Sequence, residues 1–449
     1  MARTNVARKN ELKTAEGAPA HPASANPMNA LRRSVMSCLL WEKEFYEDGV
    51  AIADRIMANA NAVSLNELSQ VIYEARHVAH LRHVPLLLLV VLAKRGSGHP
   101  SGGVAKVVAD VIMRADEMAE LMALYWKYNP GKMIPAAMRR GLAKSMTRFD
   151  EYQLAKYDRP GSVKLRDVFR VVRPKPEGEE QKALWGRAVK GELKTPDTWE
   201  VELSAGKDKK ETFERLIKEG KLGYLALLRN LRNMEQANCD PALVESAISL
   251  RKGAARVLPF RYGAAAKAAP RFEKALDVAL VSAIADLPKL PGQTLVLVDV
   301  SSSMDARLSG KSDMTCMQAA ATLASIVNCN HLRVFSFSTE VKEVPARRGM
   351  AGVDAIVNSQ PHGGTMLGAA LSRLNHIPHD RLIVITDEQS HDHVVAPMAK
   401  HAYMINVASN QNGVGYGRWT HIDGFSENVI RFIVENESKG NSVGLAQAR

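Results

Sequence analysis

Five oxygen-bearing residues at three separated points of the chain could together hold a metal ion. Asp299, Ser301 and Ser303 form D-x-S-x-S, Thr365 closes PHGGT, and Asp387 ends LIVITD. Two carboxylates and three hydroxyls, with no sulfur or imidazole, make a hard donor set. Mg²⁺ prefers such donors and keeps several waters in its shell. The hydroxyls carry no charge, so the ion would stay net positive and accept an acidic oxygen from a partner at an open position. D-x-S-x-S alone arises easily by chance, and Ser301, Ser303, Thr365 and Asp387 could instead cap the helices that follow them. Capping does not require all five residues at once. One divalent cation, expected to be Mg²⁺, does.

A second constellation is basic. Lys156, Arg159, Lys164, Arg166, Arg170, Arg173 and Lys175 crowd twenty residues around a turn. Phosphate oxygens need several such donors on one face, and arginine can pair with them in bidentate fashion. Tyr157 could stack on an unpaired base, whereas Phe149 and Tyr152 are expected to fill the core under the helices. Arg32 and Arg33, and Arg229 with Arg232, are weaker candidates from other basic turns. His77, His80 and His83 recur at three-residue spacing, but no neighbouring Cys or carboxylate in the sequence completes a Zn²⁺ site, so they read as a helix face. His391 and His393, just after Asp387, read as solvated loop residues. GSGHPSGG at 96–103 lacks the lysine and preceding strand of a phosphate cradle and reads as a turn between helices. There is no GxSxG elbow, no H-E-x-x-H and no Cys/His nucleophile pair, so the expected activity is binding rather than catalysis.

The elements that must position these residues fall into two textures. Residues 1–28, rich in Ala, Pro and Asn, read as a flexible N-terminal arm. From 29 to 288 apolar residues recur at three- and four-residue spacing, as in ADEMAELMALYWKY and GYLALLRNLRNMEQ, with short breaks at NPGKMIP (129–135) and RPGSV (159–163). Many helices with short connectors imply antiparallel pairs in a HEAT-like solenoid, although no strict sequence period runs through them. From 289 to 449 strands alternate with helices. TLVLVDV (294–300), LRVFSFST (332–339), RLIVITDE (381–388) and YMINVA (403–408) read as strands; 314–328, 366–376 and 427–437 read as helices. That alternation predicts a doubly wound parallel α/β sheet whose ligands bind at the carboxyl ends of the strands, where the five oxygen donors lie.

Charge divides along the same line. From Lys289 onward 14 lysines and arginines face 14 aspartates and glutamates, so 46 basic residues against 34 acidic ones stand before it, and the whole excess of 12 falls in the first 288 residues. A confined excess suits a polyanionic partner. The longest apolar run, Val84 to Ala93, is half of the ~20 residues that span a bilayer, and the polar N-terminus does not read as a secretory signal. Four scattered cysteines without a C-x-x-C pair suit buried thiols in a reducing cytoplasm. A soluble, cytoplasmic monomer is expected.

Several longer blocks resemble the TROVE domain of Ro proteins, those of bacteria in particular. They are RKNELKTAEGAPA near the start, LRRSVMSCLLWEKEFYEDG (31–49), the stretch 144–176 from KSMTRFDEYQLAKY to VVRPKP, TPDTWEVELSAGKD (195–208), GYLALLRNLRNM (223–234) and RVLPFRY (256–262). The oxygen constellation resembles the metal-ion-dependent adhesion site of von Willebrand A domains, which bind rather than cleave. The resemblance covers nearly the whole chain. It implies a multidomain protein, an all-α HEAT-like ring followed by a von Willebrand A domain. It also implies that single-stranded 3′ ends of misfolded small noncoding RNAs enter the ring and that a Y-like RNA binds its outside. An exoribonuclease such as polynucleotide phosphorylase is the implied protein partner, and RNA quality control the implied process. Lys156 and Arg173 fall where relatives contact RNA, but animal relatives carry histidine at the position of Arg173, which puts its role in doubt. Two other classes share the oxygen cluster. An A-domain adaptor for an AAA+ ATPase in metal or cofactor insertion lacks the basic helical half, and a Mg²⁺ phosphohydrolase needs a second acid where this chain has Ser301.

Overall fold

The computed structural model describes residues 13–14, 16–19, 27–36, 49–78, 81–96, 103–158, 161–257, 259–287, 289–307, 314–408, 413–415, 417–423, 429–430, 432–434 and 436–437. It divides into two compact units, one of Met1–Ile52, Leu258–Ala264 and Leu276–Arg449, the other of Ala53–Val257 and Ala265–Ala275.

The second unit is helical, and its helices start where local chemistry says they should. The Ser64 hydroxyl accepts the Glu67 N–H while the Glu67 carboxylate accepts the Ser64 N–H at 2.8 Å, a reciprocal cap. Asp150 with Gln153 forms another, and Asp208 caps Lys209–Lys218 by accepting the Glu211 amide. The apolar run Val84–Ala93 forms most of the helix His83–Arg95 and is buried on every side. It is a core helix, and among the described residues no helix is long and apolar enough to cross a membrane. The fully buried Glu117 carboxylate takes Arg76 at 2.6 Å and 2.8 Å and the Met113 amide at 2.9 Å. Such satisfaction is what a buried charge requires.

One close approach sets the basic surface. Helix Ala136–Met146 packs on Gly103–Val111. At Gly141 a Cβ would come within 2.6 Å of Val108 Cβ and 2.7 Å of the Ala105 carbonyl. Only glycine lets the helices meet there, and the contact turns Arg139, Arg140 and Lys144 outward. Helix Leu165–Val172 buries Leu165, Val168, Phe169 and Val172, with the Phe169 ring 5.8 Å from that of Trp185. Its remaining face carries arginine.

The first unit holds the sheet. Strands β1 (Leu290–Asp299), β2 (Cys329–Phe337), β3 (Val341–Val344), β4 (Arg381–Thr386), β5 (His401–Asn406) and β6 (Thr420–Asp423) lie in the order β3-β2-β1-β4-β5-β6. All neighbours are parallel except the β2–β3 pair, so the expected parallel sheet gains an antiparallel edge. Leu295, Leu297, Phe335, Leu371, Val384 and Met404 build a core on one face. The expected helices appear as Cys316–Ser325 and Leu367–Leu374, and the described residues of 429–437 are helical. Buried Arg381 donates from Nε to Glu437 at 2.6 Å, tying this last helical stretch to β4. Cys239, Cys316 and Cys329 are buried thiols, as expected, and Cys38 lies outside the described residues.

Candidate metal and nucleic-acid sites

The parallel register brings the carboxyl ends of β1 and β4 side by side, Val298 opposite Ile385. Asp299 and Asp387 therefore leave adjacent strands at one level, both almost completely buried. One Asp299 oxygen accepts the Ser301 amide at 2.9 Å and the other the Thr386 hydroxyl at 2.6 Å. The Ser301 and Ser303 hydroxyls lie 3.1 Å apart, and the Ser303 hydroxyl bonds to Asp387. The glycine loop is pinned to D-x-S-x-S by the Ser302 amide donating to the Gly363 carbonyl at 3.0 Å. That brings in Thr365, fully buried, whose Oγ1 has no hydrogen-bond partner. Asp299, Ser301, Ser303 and Asp387 are thus linked by hydrogen bonds, and the loop of Thr365 is held against them.

Burial raises the proton affinity of both carboxyls, Asp299 further by the charge of Asp387 beside it, Asp387 further by those of Glu16 and Glu388. Two desolvated carboxylates and an orphaned hydroxyl at one point lack positive charge, which a hard divalent cation would supply. Among the described residues no group of three His, Cys, Asp or Glu could hold a metal, so the hydroxyls must complete any ligand set here. Capping does not account for the five. The Ser301 side chain makes no capping bond to the turn Ser302–Asp305 that follows it, and no helix follows Asp387 in its loop. Helix Leu367–Leu374, after Thr365, has its first amides received by Asp392, from Gly368 at 2.8 Å and Ala369 at 2.7 Å.

The basic window is spread over two places. Arg166, Arg170 and Arg173 follow one another at four and three residues, hence along one stripe of helix Leu165–Val172 and its cap, and all three are exposed, as are Lys164 and Lys175. Arg173 and Lys175 line a groove of about 600 Å³ with Arg139, Arg140 and Lys144 opposite. Glu177 is the acidic residue at its rim. Lys156 stands elsewhere, 5.4 Å from the Tyr152 ring and 5.8 Å from that of Tyr157. Phe149 is buried as expected, but Tyr152 is exposed. It faces outward because only Leu154 of its short helix is buried. The Tyr157 ring is covered by the Arg114 guanidinium at 4.3 Å, so Tyr152 is the better stacking surface. Arg159 and the Arg33 side chain lie outside the described residues, and Arg32 is half-buried in Pro27–Met36 of the other unit.

Residues 180–279 match the family model of the TROVE domain. The fold of the chain matches the crystal structure of the Deinococcus radiodurans Ro (Rsr) protein with a TM-score of 0.65 at 17% identity, over 92% of this chain and 100% of that one. That likeness bears out the expected architecture, a helical region followed by an α/β sheet. No curated protein matches the sequence. Of the blocks that resembled TROVE proteins, 195–208, 223–234 and 256–262 lie inside the matched stretch, and 144–176 lies ahead of it.

Sequence reasoning missed three cations of the groove, Arg139, Arg140 and Lys144. Their signal was present as a basic face of one helix, but what pairs it with Arg173 is the packing of Ala136–Met146 on Leu165–Val172. It also missed Asp392, whose role rests on a contact 24 residues back along the chain. Of His77, His80 and His83, His83 meets the Glu120 carboxylate, a partner 37 residues away. His77 packs on Tyr73 and His80 lies outside the described residues. His391, expected to be merely solvated, is half-exposed but places Nδ1 3.2 Å from the Thr365 amide.

Proposed function

We propose that this chain is a non-catalytic RNA-binding protein of the Ro type. It holds single-stranded 3′ ends of misfolded small noncoding RNAs, and a Y-like RNA, in RNA quality control in the cytoplasm. An exoribonuclease such as polynucleotide phosphorylase docks on the complex. The observation that carries this reading is the groove where Arg139, Arg140 and Lys144 face Arg173 and Lys175. Five cations around one acid form a surface for a phosphate chain, and exposed Tyr152 beside Lys156 offers a stacking platform for a base. In the α/β unit, Asp299, Ser301, Ser303, Thr365 and Asp387 bind one Mg²⁺, which leaves a position for an acidic oxygen. Ser301 two residues after Asp299 speaks against phosphohydrolase chemistry, and the basic groove speaks against an adaptor that needs only the metal site.

Filter binding of the full chain to two hairpins, one blunt and one with a single-stranded 3′ tail, tests the reading. The tailed RNA should bind more tightly, and Arg139→Ala with Arg173→Ala should remove that preference. Equal affinity for both hairpins in the unaltered protein would refute binding through 3′ ends.

A further inference from the structure

The basic groove of the helical unit holds more than cations. Ala136, Ala143, Val172 and Pro174 line it beside the basic side chains, and Glu177 brings a carboxylate to its rim. A phosphate chain calls for neither. Apolar surface suits the flat face of a base. A carboxylate repels phosphate but accepts hydrogen bonds from donors on the edge of an unpaired base.

The backbone of Glu177 is held in place. The segment 173–177 leaves helix Leu165–Val172 at Arg173, whose amide donates to the Phe169 carbonyl at 2.9 Å. Pro174 and Pro176 fix φ on either side of Lys175. At the far end the Glu177 amide donates to Oε1 of Gln181 at 2.8 Å. Arg173, Lys175 and Glu177, every second residue of this strap, all line the groove. The Glu177 side chain is exposed, and among the described residues it forms no ion pair with the five cations of the groove. Neutralising them is therefore not what it does.

Two acceptor oxygens side by side match a base that offers two adjacent donors. Guanine does so on its open Watson–Crick edge, through N1–H and the N2 amino group. Adenine and cytosine each set one amino donor beside a ring nitrogen acceptor, and uracil sets one N–H between two carbonyls. A carboxylate, which only accepts, meets a lone pair on each of those three edges. Paired with guanine it meets none, and both bonds are assisted by its charge.

We propose that Glu177 reads an unpaired guanine in the groove. The cations hold the neighbouring phosphates, the apolar lining takes the face of the base, and the Glu177 carboxylate accepts from its edge. The inference rests on the reading of this groove as a site for single-stranded RNA. It adds a base preference to a surface whose phosphate contacts carry none.

The test uses the full chain and hairpins whose 3′ tails alternate adenosine with guanosine, with inosine, or with adenosine again. Inosine differs from guanosine only in lacking the N2 amino group. In a filter assay the unaltered chain should bind the guanosine tail about fivefold or more tightly than the inosine tail, the scale of a base-edge contact. Glu177→Ala and Glu177→Gln should both lose that preference. Affinity for the adenosine tail should rise in both, because a like charge leaves the path of the phosphates. If the unaltered chain binds tailed hairpins better than a blunt one but guanosine and inosine tails alike, the base reading is overturned and the RNA site stands. A preference that persists in both variants overturns the role of Glu177. If no tail binds better than the blunt hairpin, the reading of the groove falls and the inference with it.

Discussion

Arg173 ends its helix at φ 49° and ψ 58°, a left-handed conformation in which a residue with a Cβ costs about 1 kcal/mol. Glycine is the usual occupant of such a position. Here the position carries an exposed arginine that lines the basic groove, so the strain and the charge can be separated by one change. Arg173→Gly should leave the melting temperature equal or slightly raised while RNA affinity in a filter assay falls. A parallel loss of stability and affinity would instead make Arg173 a structural residue. At this scale the sequence made much of both sites visible, because carboxylates, hydroxyls and arginines are chemically conspicuous. The strained backbone at Arg173 was not visible, since no glycine or asparagine marks it. The orphaned hydroxyl of Thr365 was also hidden, because only burial reveals that it has no partner.

Elements decide where those residues point, and here short-range signals reach only part of the way. Strands β1 and β4 were legible as apolar runs buried on both faces, which fixed Asp299 and Asp387 at their ends. Strands β3 and β6 were not, being four residues each with VKEV and THID too polar to read as core. The helix Leu367–Leu374 was legible, but the cap that fixes its start comes from Asp392 across the loop. Asp392→Ala would leave two amides of the first turn without that partner and should cost about 1 kcal/mol. Because this helix start follows Thr365 directly, Mg²⁺ affinity measured by calorimetry should fall as well; an unchanged affinity would uncouple the cap from the site. In the helical unit the loop before Trp199–Ser204 is fastened to helix Lys209–Lys218 by Asp197. Hydrogen bonds from Arg215 and then Lys221 hold its carboxyl well below the ordinary range. A carboxylate with lowered proton affinity in the fold contributes stability above its unfolded value, about pH 4, and that contribution is lost as pH falls further. All three groups are partly exposed, so the effect is modest. Asp197→Asn should destabilise the protein at neutral pH and flatten the decline of melting temperature below about pH 4. A variant whose melting curve against pH parallels that of the unaltered chain would show the pair to be idle.

Over the whole molecule, charge and chemistry are divided along the chain. The excess of 12 basic residues lies entirely before residue 289, and the five oxygen donors lie entirely after it. The structure sets the basic groove in one compact unit and the oxygen cluster in the other. RNA binding governed by the groove should weaken steeply with salt, each phosphate neutralised on a single strand contributing roughly −0.7 to the slope of log affinity against log salt. Replacing Lys156 and Arg173 together by alanine should lower both the affinity and that slope. Asp299→Ala with Ser301→Ala should do neither, although it should abolish Mg²⁺ binding in calorimetry, because it removes a carboxylate and a hydroxyl from a set with only two carboxylates. The decisive comparison is therefore one folded metal-site mutant measured in two assays. If it loses Mg²⁺ and keeps the RNA slope, the two halves act as separate binding modules on one chain. If it loses RNA along with the ion, the metal must meet RNA phosphate itself, and the α/β unit becomes part of the nucleic-acid site. If it loses neither, the oxygen cluster is not a metal site, and the buried carboxylates need another account.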